Sequence, residues 1–447
     1  MKKLVLSMIL IVALVSSIIP VAVSAAPEGT PISTAAEFES MQSGGTYYLA
    51  NDIDFGGKVY ESYILSEFSG VLDGNNHSLL NYSIDGTGAN TDCGTILRAN
   101  KIGSLEISNL TLGSKDAPIK LTTDAQGKSH GLLFGAQENA NTATLTNVTI
   151  YGDIRIPSSG KVNAGGYIGY SRAVTFNSCN YYGRVEVGTG PNDADEVYHN
   201  GGGFIGSANS DMTFFENCTN YGTIISHCSS VEARAAGLVC YTGYSATFTN
   251  CANYGDITVN DCGLQMADGQ AAGLVAHANK TSPVIFEDCA NYGRVQCSNW
   301  CAGFVANATS GAFFDNCVNE GEYTRDAIAK GPFVAYLSET AIVEFESVCT
   351  DKTDPNTYYG PEEAETTPAT QETTPAEETP VETTPAVEET TPAEDAPVET
   401  TPAETTPASA ETTPAPTPDP KGCGSAVVSV GILAVIGGAW IALKKRK

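Results

Sequence analysis

One eight-residue phrase constrains this chain more than anything else in it. Phe215-Glu216-Asn217-Cys218-Thr219-Asn220-Tyr221-Gly222 returns as Phe248 to Gly255, Phe286 to Gly293 and Phe314 to Gly321, and more loosely as Phe176 to Gly183. Aliphatic versions open at Leu145, Ile107, Leu79 and Leu49, and a degenerate last copy opens at Phe345 and reaches Cys349 one residue late. The ten openings lie about 33 residues apart on average, and self-similarity at such a period is the signature of a stacked architecture.

Each copy runs apolar residue, spacer, Asn, Asp or Ser, then alternating inward positions, then Gly. Asn tolerates the left-handed backbone and Gly adopts it freely, so the phrase reads as strand, sharp bend, short strand, turn. Where the early copies carry Val148 and Ile150, the later ones carry Cys218 and Asn220. Stacking places like residues in columns, a Cys column of Cys179, Cys218, Cys251, Cys289 and Cys317 beside an Asn column of Asn220, Asn253, Asn291 and Asn319. Between copies a second element recurs, Gly166-Tyr167-Ile168, Gly203-Phe204-Ile205, Gly237-Leu238-Val239, Gly273-Leu274-Val275 and Gly303-Phe304-Val305 among others, which predicts one further short buried strand per rung. A unit this small cannot close its own core, but stacking buries a continuous one.

Long 3.6-residue patterns are absent, which argues against helical repeats, and a propeller blade needs about four antiparallel strands and a longer period. The expected fold is all-β, a right-handed parallel β-helix of about ten rungs; at roughly 4.8 Å per rung the rod is about 45 to 50 Å long. The Gly-Leu-Val strands, the Cys-x-Asn-Tyr-Gly turns and the opening Phe68-Ser69-Gly70-Val71-Leu72-Asp73-Gly74-Asn75-Asn76-His77 resemble the GLUG-motif and pectate-lyase-like β-helix proteins displayed by Gram-positive anaerobes, over residues 32 to 350. The resemblance implies the fold; such helices carry lyases, hydrolases, adhesins and scaffolds alike.

The ends of the chain predict display at a cell surface. Lys2 and Lys3 precede an apolar run from Leu4 to Val23 and an A-x-A-like site at Val23-Ser24-Ala25, so residues 1–25 read as a signal peptide and 26–360 as the ectodomain. Residues 33–43 are a short helical candidate, with Ser33 or Thr34 as N-cap and Glu37 as its partner, placed to cap the first rung. Residues 361–421 are rich in Thr, Pro and Glu and read as a disordered stalk. Residues 422–447 hold an apolar stretch, Ser425 to Leu443, and then Lys444-Lys445-Arg446-Lys447, which predicts one transmembrane helix with a cytoplasmic C-terminus. No LPxTG-like sequence precedes it; Gly422-Cys423-Gly424 leaves processing or lipidation at Cys423 open. With 51 acidic against 23 basic residues the net charge is −28, which disfavours nucleic acid and anionic lipid surfaces as partners.

Thirteen cysteines in an exported chain usually suggest disulfides. In-register neighbours, however, stand about 4.8 Å apart with parallel side chains, a poor match to disulfide geometry, so the column is expected to be buried thiols. Cys228, Cys240, Cys262, Cys297 and Cys301 lie outside the column, where pairing stays open. The five histidines fall at no ligand spacing, and neither a metal nor another cofactor is expected.

A lyase or hydrolase needs converging carboxylates and a base. Asp52, Asp54 and Asp73 stand near the start, with Asp73 to His77 read as a turn, and Asp193, Asp195 and Glu196 stand in the longest insertion; none forms a catalytic motif. The more suggestive column is Tyr182, Tyr221, Tyr254 and Tyr292, at equivalent turn positions on successive rungs. These tyrosines either pack on one another or, with Asp193, Asp195, Glu196 and the variable loops, form a platform for a glycan or host protein. The sequence thus predicts a membrane-anchored surface adhesin or binding module for a polysaccharide or host glycan. A polysaccharide lyase or hydrolase and a passive spacer or coat protein are the alternatives.

Overall fold

A computed structural model describes residues 27–99, 103–138, 142–158, 160–188, 198–227, 232–260, 268–279, 283–324, 327–353 and 358–359, all within the first of two units, Met1–Pro368. The segments 1–25, 361–421 and 422–447 lie outside the described residues, as do Asp193, Asp195, Glu196, Cys228, Cys262 and Cys423. No helix among the described residues is long and apolar enough to cross a membrane.

The described chain is all-β apart from one five-residue helix, and its strands form a 31-stranded and a 7-stranded sheet. Every pairing within them is parallel except that of Cys349–Asp351 with Tyr358–Tyr359, and each strand pairs with its counterpart one repeat away. This repeated parallel structure fits a parallel β-helix.

The repeat phrase sets the register. Phe176 pairs with Leu145 and Phe215, and the column continues through Phe248, Phe286, Phe314 and Phe345. Successive Phe rings stack at 4.7 to 5.2 Å, and a second column, Tyr167, Phe204, Leu238, Leu274, Phe304 and Phe333, meets them from the side, Phe286 and Phe304 crossing at 88°. Full burial of each ring is worth about 1.5–3 kcal/mol, and the offset and edge contacts add about 0.5–1.5 kcal/mol per pair. The bend after each opening is left-handed as its residue types require: Asn109, Asn147, Ser178, Asn217, Asn250, Asp288 and Asn316 all have φ between 49° and 56°.

Two sequence readings need correction. The early rungs open at Leu72 and Tyr47, not at Leu79 and Leu49: Ile107 pairs with Leu72, which pairs with Tyr47. The turn from Asp73 to His77 is present, with Asn75 and Asn76 left-handed and Asn75 N–H donating to Asp73 Oδ1 at 2.8 Å. Its extra residues push Leu79 onward to pair with Leu112, in the column that later holds Asn220. The second element is likewise offset: the further short buried strand is present, as Val239–Thr242, Val275–Ala278 and Val305–Ala308, but only the third residue of the element enters it. Gly203-Phe204 is the corner between Tyr198–Gly202, in the small sheet, and Ile205–Glu216, in the large one, and the equivalent glycines turn the other rungs. A Cβ at Gly203 would stand 2.0 Å from the Gly237 carbonyl oxygen of the next rung, so the corners stack only without side chains.

The N-terminal helix spans Ala35–Glu39, shorter than the predicted 33–43 because Thr34 is extended as its N-cap and, past the Ser40 C-cap, Met41 N–H bonds back only three residues, to the Phe38 carbonyl. Thr34 and Glu37 form the expected reciprocal cap, and Phe38 seats the helix edge-on against Phe55 at 5.7 Å.

The Cys column is buried, at most 1% exposed, and all ten described cysteines are free thiols, including Cys240, Cys297 and Cys301. Sγ of Cys218, Cys251 and Cys289 each donates to the carbonyl two residues earlier at 3.2 Å, and burial pushes the Cys218 and Cys251 thiols well up.

Beside it, Asn220, Asn253, Asn291 and Asn319 are fully buried. Nδ2 of each donates to Oδ1 of the next at 2.7 to 2.9 Å, and Asn319 donates to Asp351 Oδ1 at 3.0 Å. Each amide also closes its own turn onto the glycine two residues on, as Asn253 Nδ2 does to the Gly255 carbonyl at 3.0 Å. The amides are thereby satisfied in an interior where an unpaired polar group is costly.

Candidate functional site

The tyrosine column is one rung longer than predicted. Tyr151, Tyr182, Tyr221, Tyr254 and Tyr292 stack face to face at 4.5 to 5.2 Å, within 15° of parallel, and Glu320 and Lys352 continue the position as an ion pair. Tyr151 holds the same seventh place in its copy as Tyr221 does, so the signal was in the sequence. Stacking uses both faces of Tyr182, Tyr221 and Tyr254. What Tyr221 and Tyr254 expose, 42% and 48%, is therefore ring edge and hydroxyl. Sugars stack on faces, and the column's first ring follows Gly113, which has no side chain to cover it; a cleft of about 500 Å³ opens there between Lys115, Pro118, Tyr151 and Asp153.

The acidic residues near the start hold turns. Asp52 Oδ1 accepts from Ser78 N–H at 2.9 Å, and Asp54 accepts from Gly56 N–H at 2.7 Å and from Asn81 Nδ2 at 2.8 Å. Asp73 caps its own turn and accepts from Asn109 at 3.0 Å.

A second cleft, of about 440 Å³, lies along the corners. Three residues before each corner a column runs Asn163, Asn200, Arg234, Gln270, Trp300; four residues after it another runs Tyr170, Ser207, Tyr241, His277, Asn307, Tyr336. The cleft opens where Ser207 stands between Tyr170 and Tyr241, a small side chain between two large ones. Trp300 stacks on Tyr336 at 4.5 Å across the two columns, one rung beyond His277.

Arg234 is at the centre and only 4% exposed. Its guanidinium pairs with Glu232, donates to Asn200 Oδ1 at 3.1 Å and lies 5.4 Å from the centre of the Tyr241 ring. Asn200 in turn donates to Asn163 at 2.8 Å, and Asn279 donates to the Tyr241 hydroxyl at 2.7 Å. Burial, with Arg234 adding to it, pushes His277 down to about 3, so its ring is neutral. The arrangement is a polar recess with an aromatic wall, a fixed cation–carboxylate pair and several amides, suited to holding a small polar group by hydrogen bonds. Among the described residues no three His, Cys, Asp or Glu side chains come together as a metal-ligand set.

No protein-family model and no curated protein matches the chain. A crystal structure from Bacteroides ovatus, described as a "putative immunoglobulin A1 protease", aligns over 73% of this chain and 86% of that one, at 16% identity and a TM-score of 0.39.

Proposed function

We propose that the protein is a membrane-anchored cell-surface rod, a right-handed parallel β-helix of the GLUG-motif kind, that binds a polysaccharide or host glycan in the cleft around Arg234. Right-handedness follows the near-universal hand of parallel crossovers. The observation that carries the reading is the recess itself: charged and amide groups buried at the 1–4% level beside Tyr241, where a uniformly packed rod would have apolar filling. The signal peptide, stalk and C-terminal apolar segment supply display, with the ectodomain outside and residues 444–447 inside. Binding without cleavage is favoured because Asp52, Asp54 and Asp73 serve turns and, among the described residues, Glu232 is the one carboxylate lining the cleft.

Full-length protein in detergent micelles, incubated with plant, mucin and bacterial-wall polysaccharides, tests this by scoring retention together with new chain ends. Retention without new ends is the expected result. New ends would replace the binding module with a lyase or hydrolase; silence on both would leave a spacer.

A further inference from the structure

We infer that the Arg234 cleft is a subsite for a neutral, hydroxyl-rich sugar unit and excludes acidic ones, an inference that rests on the glycan-binding reading above. It comes from the polar atoms left over. Among the described residues, Arg234 Nε, Gln270 Oε1, Asn307 Oδ1 and both ring nitrogens of His277 are buried without a hydrogen-bond partner; Arg234 and His277 line the cleft, and Gln270 and Asn307 stand beside them one rung on, at its end. Their exposures run from 1% to 9%.

These atoms are of mixed kind. Guanidinium Nε–H only donates, the two amide oxygens only accept, and a neutral imidazole carries one donor and one acceptor. A carboxylate or sulfate offers acceptors alone. It would serve Arg234 and one His277 nitrogen, leave the two amide oxygens and the other nitrogen unmet, and meet the charge of Glu232, which already neutralises Arg234. An ammonium group fails in the opposite sense. Hydroxyl groups donate and accept, so a polyol satisfies both sets at once. Tyr241 lines the cleft with a ring that carries the Arg234 guanidinium and His277, each at 5.4 Å, and the gap at Ser207 supplies room.

The test uses full-length protein in micelles, with neutral oligosaccharides (gluco-, manno- and galacto-oligomers) and acidic ones (oligogalacturonates, sulfated and sialylated glycans) of matched length. Two variants accompany it. Ser207→Tyr fills the gap by extending the tyrosine column, and Gln270→Leu removes one unmet acceptor at nearly constant volume. Circular dichroism and thermal unfolding check that each is folded. At least one neutral series is expected to bind, with little dependence on salt, and to weaken tenfold or more in either folded variant, while acidic series do not bind. Acidic glycans that bind and are lost in the variants would overturn the neutral assignment and leave glycan binding standing. Neutral glycans that bind equally to both variants would move the site elsewhere on the rod. No binding of either kind would remove the inference and the glycan reading together, the cleft then holding water only.

Discussion

Asn253→Ala is the sharpest test of what holds the rungs together. The Asn253 side chain makes four hydrogen bonds: it donates to Asn291 Oδ1 at 2.9 Å and to the Gly255 carbonyl at 3.0 Å, and accepts from Asn220 Nδ2 at 2.7 Å and from Gly255 N–H at 3.3 Å. At about 1 kcal/mol net for each neutral bond, with partners left buried and dry, the loss is about 4 kcal/mol. Asn253→Asp keeps both accepting roles and turns both donations into oxygen–oxygen contacts, so at neutral pH it is expected to cost more than Ala. The assay is guanidinium denaturation read by circular dichroism, with hydrogen exchange at Tyr254 and Gly255, because stacked repeats need not open together. A cost of this size lowers local protection by about three orders of magnitude. A loss below about 1 kcal/mol, or an Asp variant milder than the Ala variant at pH 7, would refute the reasoning and assign rung cohesion to the Phe and Cys columns alone.

Tyr221→Ala with Tyr254→Ala removes three stacked contacts and is expected to cost about 2 kcal/mol in thermal or denaturant unfolding while leaving glycan retention intact, since those ring faces serve each other. Abolished retention in a folded double variant would put the ligand on the column instead. Burial holds His130 neutral, pushed down to about 4, and lowers His199 as well. A histidine whose folded value lies below its ordinary 6.5 gives stability that is complete above about pH 6.5 and is lost as pH falls toward 4, so the denaturation midpoint should drop between pH 7.5 and 4.5, and drop less in His130→Gln. Cys251→Val should cost under about 1.5 kcal/mol, because Val148 fills the same column one stretch earlier; the column thiols should resist Ellman's reagent until the protein unfolds.

What was legible in the sequence was whatever the backbone demands at every rung. The left-handed bend accepts few residue types, so Asn217, Asn250 and Asn316 announce it, and the Phe and Asn columns follow at fixed distance. The early rungs were misread because Leu79 to Gly86 imitates the phrase, while the true opening at Leu72 is interrupted by the Asp73–His77 turn. The Arg234 cleft was hidden for a different reason. Its positions, three before and four after each corner, are the ones the stacking leaves free, so Asn200, Arg234, Gln270 and Trp300 share a column without sharing chemistry. A search for repetition passes over a site made of differences. Reading those two offsets rung by rung would have exposed it.

The amide chain from Asn220 to Asp351 has a direction, and that bears on how long such a molecule can become. Each member gives its hydrogen to the one after it, and the series is closed by a carboxylate that only receives, steadied by Thr353 N–H at 3.1 Å. It begins below Tyr181, whose hydroxyl is occupied with the Gly152 carbonyl and asks nothing of Asn220. The two terminators are unique, whereas the links between them are interchangeable. A duplicated segment spliced between residues 215 and 321 would therefore find every polar group of its column met, while the same segment added beyond Asp351 would not. The amide column thus tolerates a change of length in its middle, one copy at a time, and not at its carboxylate end.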